Sequence, residues 1–142
     1  METMYAETTL INENLMFKNK INNKEEFIVD YIPPLGNGEG YTSLELFLIS
    51  LLTCCCSTVK ILLDKQFKIK IKRFHGTAKA VRKDEHPTCF SQIDILLQIS
   101  ADALNDEMMK KAVSLSENKF CPVIAMMNKN IQCNISWNIS HE

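Results

Sequence analysis

Residues 44–65 read LELFLISLLTCCCSTVKILLDK and set three consecutive cysteines, Cys54, Cys55 and Cys56, inside one of the most apolar runs of the chain. From Leu46 to Leu63 only Lys60 is charged. A run of this length suits either a membrane span or the central buried helix of a globular domain. Ser50, Thr53, Ser57 and Thr58 inside it, with few aromatic or basic anchors at its start, favour the buried helix. Thr42 followed three residues later by Glu45 fits a capping box, in which hydroxyl and carboxylate each take a backbone amide of the other's residue. The expected helix runs from Thr42 to Lys65.

Working outward, the segments YAETTLI, NLMFKNKI and EEFIVDYI before the helix are short, β-branched and aromatic, and Asn-rich breaks separate them. They predict a strand meander, followed by a loop at PPLGNGEG. After the helix, residues 67–83 (FKIKIKRFHGTAKAVRK) alternate as a strand with one wet face does, and CFSQIDILLQIS is the expected partner across the DEHP turn. Met108, Met109, Ala112, Val113 and Leu115 have helical spacing, with Asn105 or Asp106 as the cap. NIQCNISWNIS alternates again as a last strand. The order β-β-β-α-β-β-α-β clusters its strands and helices instead of alternating them, which predicts an α+β fold with mainly antiparallel sheet.

At 142 residues and 46% hydrophobic composition, without a long polar tract, the chain is the size of one domain spanning residues 1–142. A formal net charge of −1, with both signs dispersed, leaves no electrostatic footprint for nucleic acid or an anionic membrane. The Lys row of residues 68–72 reads as the solvated side of a strand. The amino-terminal METMYAETTLINENL has neither a basic nor an apolar leader region, so no secretory signal is expected. Six cysteines without export signals, three of them adjacent, make a poor disulfide framework and suit a reducing cytoplasm.

Consecutive helical residues point about 100° apart, so Cys54, Cys55 and Cys56 cannot face one site or converge on one metal. There is no C-x-x-C pair, and His86 with Cys89 is a thin basis for zinc. Cys89 and Cys133 sit in alternating strand patterns, where a small buried hydrophobe is the ordinary explanation. Cys121 differs: it precedes Pro122, a residue favoured in the first turn of a helix. A thiol at that position is expected to have a lowered pKa through the unpaired amides, which makes it a redox candidate; the alternative reading is a small residue chosen to fit the turn.

These residues resemble the OsmC/Ohr family (osmotically inducible protein C and organic hydroperoxide resistance protein). GYTSLELFLISLLTC is similar to the start of that family's central helix, leading to its first cysteine. AVSLSENKFCPVIAMM followed by IQCNISW is similar to its second cysteine in a C-P-V context and its last strand, and EHPTCF with Ile93 resembles a less characterised OsmC-like branch. The resemblance implies a fold of mainly antiparallel sheets around long central helices, in an intertwined homodimer with each site at the interface. It implies a thiol peroxidase for organic or lipid hydroperoxides, with Cys54 as the attacking cysteine and Cys121 as its resolving partner. Sulfenic acid would form, then a disulfide, and an external dithiol such as a protein-borne lipoyl group would restore both thiols. No cofactor and no metal are implied.

The chain departs from the well-studied members of that family. Their thiolate is held by an arginine in the amino-terminal strand region and a glutamate ten residues before the first cysteine. Here the only arginines are Arg73 and Arg82, both after the helix, and Leu44 occupies the glutamate position. Glu45 is one residue off and faces away from Cys54, which suits its capping role. The cap argument singles out Cys121 and the resemblance Cys54; the roles follow the resemblance. A second function therefore stays open, an OsmC-like protein without peroxidase activity that binds a small apolar ligand at the dimer interface.

Overall fold

Thr42 and Glu45 form the capping box: the Thr42 amide donates to Glu45 Oε1 at 2.8 Å and the Glu45 amide to Thr42 Oγ1 at 3.1 Å. Helix α1 follows as Ser43–Phe67 in the computed structural model, which describes residues 1–142. At its other end Lys68 turns left-handed with φ 55°, and the Ile69 amide reaches back to the Leu63 carbonyl at 3.1 Å. Such a bond closes helices that end in a left-handed residue. Glycine usually marks this stop; here lysine fills it, so the helix runs two residues past the expected Lys65.

The backbone divides into two compact units, Met1–Phe47 and Leu48–Glu142. The first holds β1 (Ala6–Leu10), β2 (Phe17–Ile21) and β3 (Phe27–Val29) in an antiparallel meander of that order. The loop after β3 winds around the buried Asp30 carboxylate, which accepts the amides of Tyr31, Asn37 and Glu39. Gly36 is needed there, because a Cβ would stand 2.1 Å from the Tyr31 carbonyl oxygen.

The second unit holds most of α1, the strands β4 (Arg73–Arg82) and β5 (Phe90–Ser100), α2 (Asp106–Leu115), a π-helical turn (Ser116–Phe120), α3 (Pro122–Met126) and β6 (Gln132–Ser140). Its sheet order is β4-β5-β6. β4 and β5 form the expected hairpin, with Phe74 opposite Ile99 and Gly76 opposite Leu97. β4 starts only at Arg73, since residues 68–72 carry the chain out of the helix. β5 and β6 pair in parallel, Ile93 beside Cys133 and Leu97 beside Trp137. Among the strand pairs of the two sheets this is the one departure from antiparallel pairing. The segment from α2 through α3 is a crossover, and a chain that crosses over enters its next strand in the same direction as the last.

Burial follows the alternation. Ile93, Ile95, Leu97 and Ile99 of β5 all point to one face and are buried. Each such side chain contributes on the order of 1.5–3 kcal/mol on leaving water. α1 buries a stripe of Leu51, Cys55, Val59, Leu62 and Leu63, and α2 buries Met109, Ala112 and Val113. Asn105 is the α2 cap and accepts the Met108 amide at 2.9 Å. α1 is long and apolar enough to cross a membrane by length and composition, a test that a core helix also passes. Its stripe spacing of three and four residues is that of a helix packed on one side.

Candidate thiol site

Cys54 lies in the middle of α1 and Cys121 is the residue that caps α3. Cys121 is set from both sides by backbone bonds. Its amide donates to the Ser116 carbonyl at 2.9 Å, closing the π-helical turn, and its carbonyl accepts the Ala125 amide at 3.1 Å, opening α3. Pro122 follows in the first turn, where its missing amide costs nothing. Thr58 Oγ1 donates to the Cys54 carbonyl at 2.8 Å, a local bond that fixes the α1 backbone one turn on.

These elements bring the two sulfurs together. Cys121 Sγ donates to Cys54 Sγ at 3.1 Å, and both are free thiols. Disulfide bonding at about 2.05 Å requires closure by roughly 1 Å. Cys121 is only 2% exposed. Burial pushes its thiol up, and the hydrogen bond to Cys54 and the charge of Cys54 push the same way, against the amides of Ile124 and Val123. The lowered value expected from its helix-cap position is thus reversed. α3 has only five residues and the sulfur is desolvated, so burial outweighs the amides.

The neighbouring thiols occupy different settings. Cys55 is 0% exposed and is pushed up to about 12 by burial first, then by the charges of Cys56, Cys121, Cys133 and Glu117. Cys56 lies over β4, its Sγ 2.7 Å from where a Cβ on Gly76 would stand, and burial raises its thiol too. Cys133, half-buried on the inward face of β6, is raised by burial and then by Glu117, Asp94 and Cys121. Cys89 precedes β5, its carbonyl accepting the Lys83 amide. No three His, Cys, Asp or Glu side chains converge as a metal ion requires.

Neither arginine serves the thiol pair. Arg82 donates through Nε to the Thr88 carbonyl and through Nη2 to Thr88 Oγ1, both at 2.6 Å, and Arg73 Nη2 reaches the Glu142 carbonyl at 3.3 Å. Two features went unread in the sequence. Glu117, whose carboxyl burial raises, lies among Cys55 and Cys133. Its only signal is its place four residues before Cys121. The buried Ser116 hydroxyl has no hydrogen-bond partner, and nothing in the sequence announces that.

Two three-stranded sheets, a long apolar helix and a cysteine pair drawn from that helix and a C-P cap define an α+β protein of the OsmC/Ohr type. Residues 36–136 match the family profile described as OsmC-like protein, and the chain belongs to that family. No curated protein sequence matches it. Among solved structures, a hypothetical protein from Aquifex aeolicus VF5 is 26% identical with a TM-score of 0.83, covering 99% of this chain and 98% of that one. The organic hydroperoxide resistance protein OsmC from Legionella pneumophila is 16% identical, with a TM-score of 0.72 over 99% of this chain and 98% of its own. The organic hydroperoxide resistance protein OhrB of Bacillus subtilis is 15% identical, with a TM-score of 0.64 over 96% and 98%. The last two likenesses bear on the fold.

Proposed function

We propose that the chain, residues 1–142 acting as one OsmC/Ohr-like domain, is a thiol peroxidase that reduces organic or lipid hydroperoxides. The observation that carries this reading is the 3.1 Å approach of Cys54 Sγ and Cys121 Sγ from separate helices. The Cys54 thiolate attacks a peroxide oxygen and the O–O bond breaks. With one proton taken up, the alcohol departs and Cys54 becomes a sulfenic acid. The Cys121 sulfur then attacks the Cys54 sulfur, water leaves and a disulfide forms. An external dithiol, such as a lipoyl group on a protein, reduces that disulfide by exchange and departs as its own disulfide. The cycle needs no cofactor, metal, nucleic acid or membrane, and it suits a reducing cytoplasm.

The working form is a homodimer. Support comes from Ile49 and Ile61 of α1, which are 59% and 52% exposed, apolar area that a second copy would cover. The same exposed residues, with no arginine beside the thiols, favour the second reading, an OsmC-like protein that binds a small apolar ligand at the dimer interface without turnover. An assay with an alkyl hydroperoxide and a lipoyl dithiol separates the two. The unmutated chain should turn over, Cys54→Ser should fall to background, and Cys121→Ser should lose the lipoyl-dependent cycle. Background consumption by the unmutated chain would reject the peroxidase and leave the binding protein.

A further inference from the structure

The groups that bear on the thiols of this site include five acids. They are Cys55 and Cys56 on α1, Glu117 on the π-helical turn, Cys133 on β6 and, acting on Cys133, Asp94 on β5. Both arginines bond elsewhere, Arg82 to Thr88 and Arg73 to the Glu142 carbonyl. Neither arginine is free to hold a thiolate here. What the geometry offers is a hydrogen-bond donor: the Cys121 thiol, 3.1 Å from Cys54 Sγ, buried and fixed on both flanks by backbone bonds.

We propose that Cys121 has a role before it resolves anything: its S–H donates to Cys54 Sγ and holds that sulfur as the thiolate of the pair. The proton belongs on Cys121 because that sulfur is the more deeply buried of the two, and ionising a buried group forfeits its hydration. Cys54 is half-buried and keeps water on one side. The pair then titrates as a unit, its first proton leaving from Cys54 and the second remaining on Cys121. After peroxide attack the proton is already on the residue beside the sulfenic acid, where it leaves with the departing water. That consequence rests on the peroxidase reading; the hydrogen bond itself does not.

The test uses the full chain, without peroxide, and follows iodoacetamide alkylation of individual cysteines by peptide mass spectrometry from pH 5 to 10. A hydrogen bond to a charged group shifts an ionisation equilibrium by about tenfold or more. In Cys121→Ala the midpoint of the Cys54 rate profile should rise by about one pH unit. Loss of the neighbouring sulfur also opens access to Cys54, but access changes the plateau and not the midpoint. Cys121→Ser keeps a donor and should restore most of the original midpoint. The reciprocal variant, Cys54→Ser, removes the charge that faces Cys121, so the Cys121 midpoint should fall; this arm serves even if Cys121→Ala does not fold. Unmoved midpoints, or a Cys54 midpoint that drops in Cys121→Ala, would overturn the proposal. Shifted midpoints in a chain without peroxide turnover would uphold the hydrogen bond while rejecting the peroxidase, and turnover with unmoved midpoints would do the reverse.

Discussion

Gly76 sits in the interior of β4, where glycine ordinarily weakens a strand. Its neighbours explain it. An added Cβ would stand 2.7 Å from Cys56 Sγ, 3.2 Å from Leu52 Cδ1 and 3.8 Å from Leu97 Cδ2. Carbon contacts are optimal at roughly 3.5–4.0 Å, so the first of these is too short by about 1 Å. The Leu52 methyl can retreat by a small rotation, whereas Cys56 Sγ has a single torsion and is held between helix and strand. Overpacking of this kind costs about 1–3 kcal/mol. Against it stands a gain of about 0.4–1 kcal/mol from the stiffer unfolded chain, which applies because Gly76 is not among the positive-φ residues. The expected net for Gly76→Ala is a loss of about 1–2 kcal/mol, or roughly 3–6 °C in Tm for a chain of this length. Urea unfolding monitored by circular dichroism measures it, with Cys56→Ala and the double variant completing a cycle. Removing the sulfur makes room for the methyl, so the double variant should recover stability beyond additivity by more than about 0.5 kcal/mol. A Gly76→Ala chain as stable as the original, or a cycle that closes additively, would refute the close approach of α1 to β4.

Two further outcomes follow from burial. The Cys55 thiol is held neutral in the folded chain, at about 12 against an unfolded value of about 8.5, so its contribution is complete below the unfolded value and is lost as pH rises from there toward 12. Cys55→Ala should therefore lose less stability than the original chain between pH 8 and 10, and parallel pH curves would contradict this. Light scattering at micromolar concentration should give twice the chain mass of 16.3 kDa, and a clean monomer would remove the homodimer and the interface site with it.

Local signals made much of the fold legible. The capping box at Thr42 and Glu45, the Asn105 cap and the period-two burial of β5 are contacts within a few residues of their origin, and short-range chemistry determines them. What escaped were features set by distant parts of the chain. The parallel entry of β6 depends on how the whole crossover returns, not on the alternating pattern of the strand itself. The α1 stop at Lys68 lacks a glycine to mark it. The Cys121 thiol was misjudged because Pro122 advertises a cap while nothing nearby in sequence advertises burial, and burial dominates. Pairing of Cys54 with Cys121 came from the family resemblance; the residues alone would have supplied only a cap and a helix.

The cysteine triplet illustrates how a helix makes adjacent identical residues unequal. A rotation of about 100° per residue presents three successive thiols to three surroundings. Cys54 meets Cys121 at the half-buried edge, Cys55 enters the core with no exposure, and Cys56 lies over the strand at Gly76. Only the first has both a neighbouring sulfur within bonding approach and some contact with solvent, the two conditions under which a thiol can be oxidised by a small molecule and then closed into a disulfide. Cys55 meets neither solvent nor a low ionisation threshold, and Cys56 is backed by a glycine that leaves room for its sulfur and nothing more. Chemical identity is shared by all three, so the division of labour among them resides wholly in helix phase. A one-residue deletion before Cys54 would rotate the set and bring Cys55 toward Cys121.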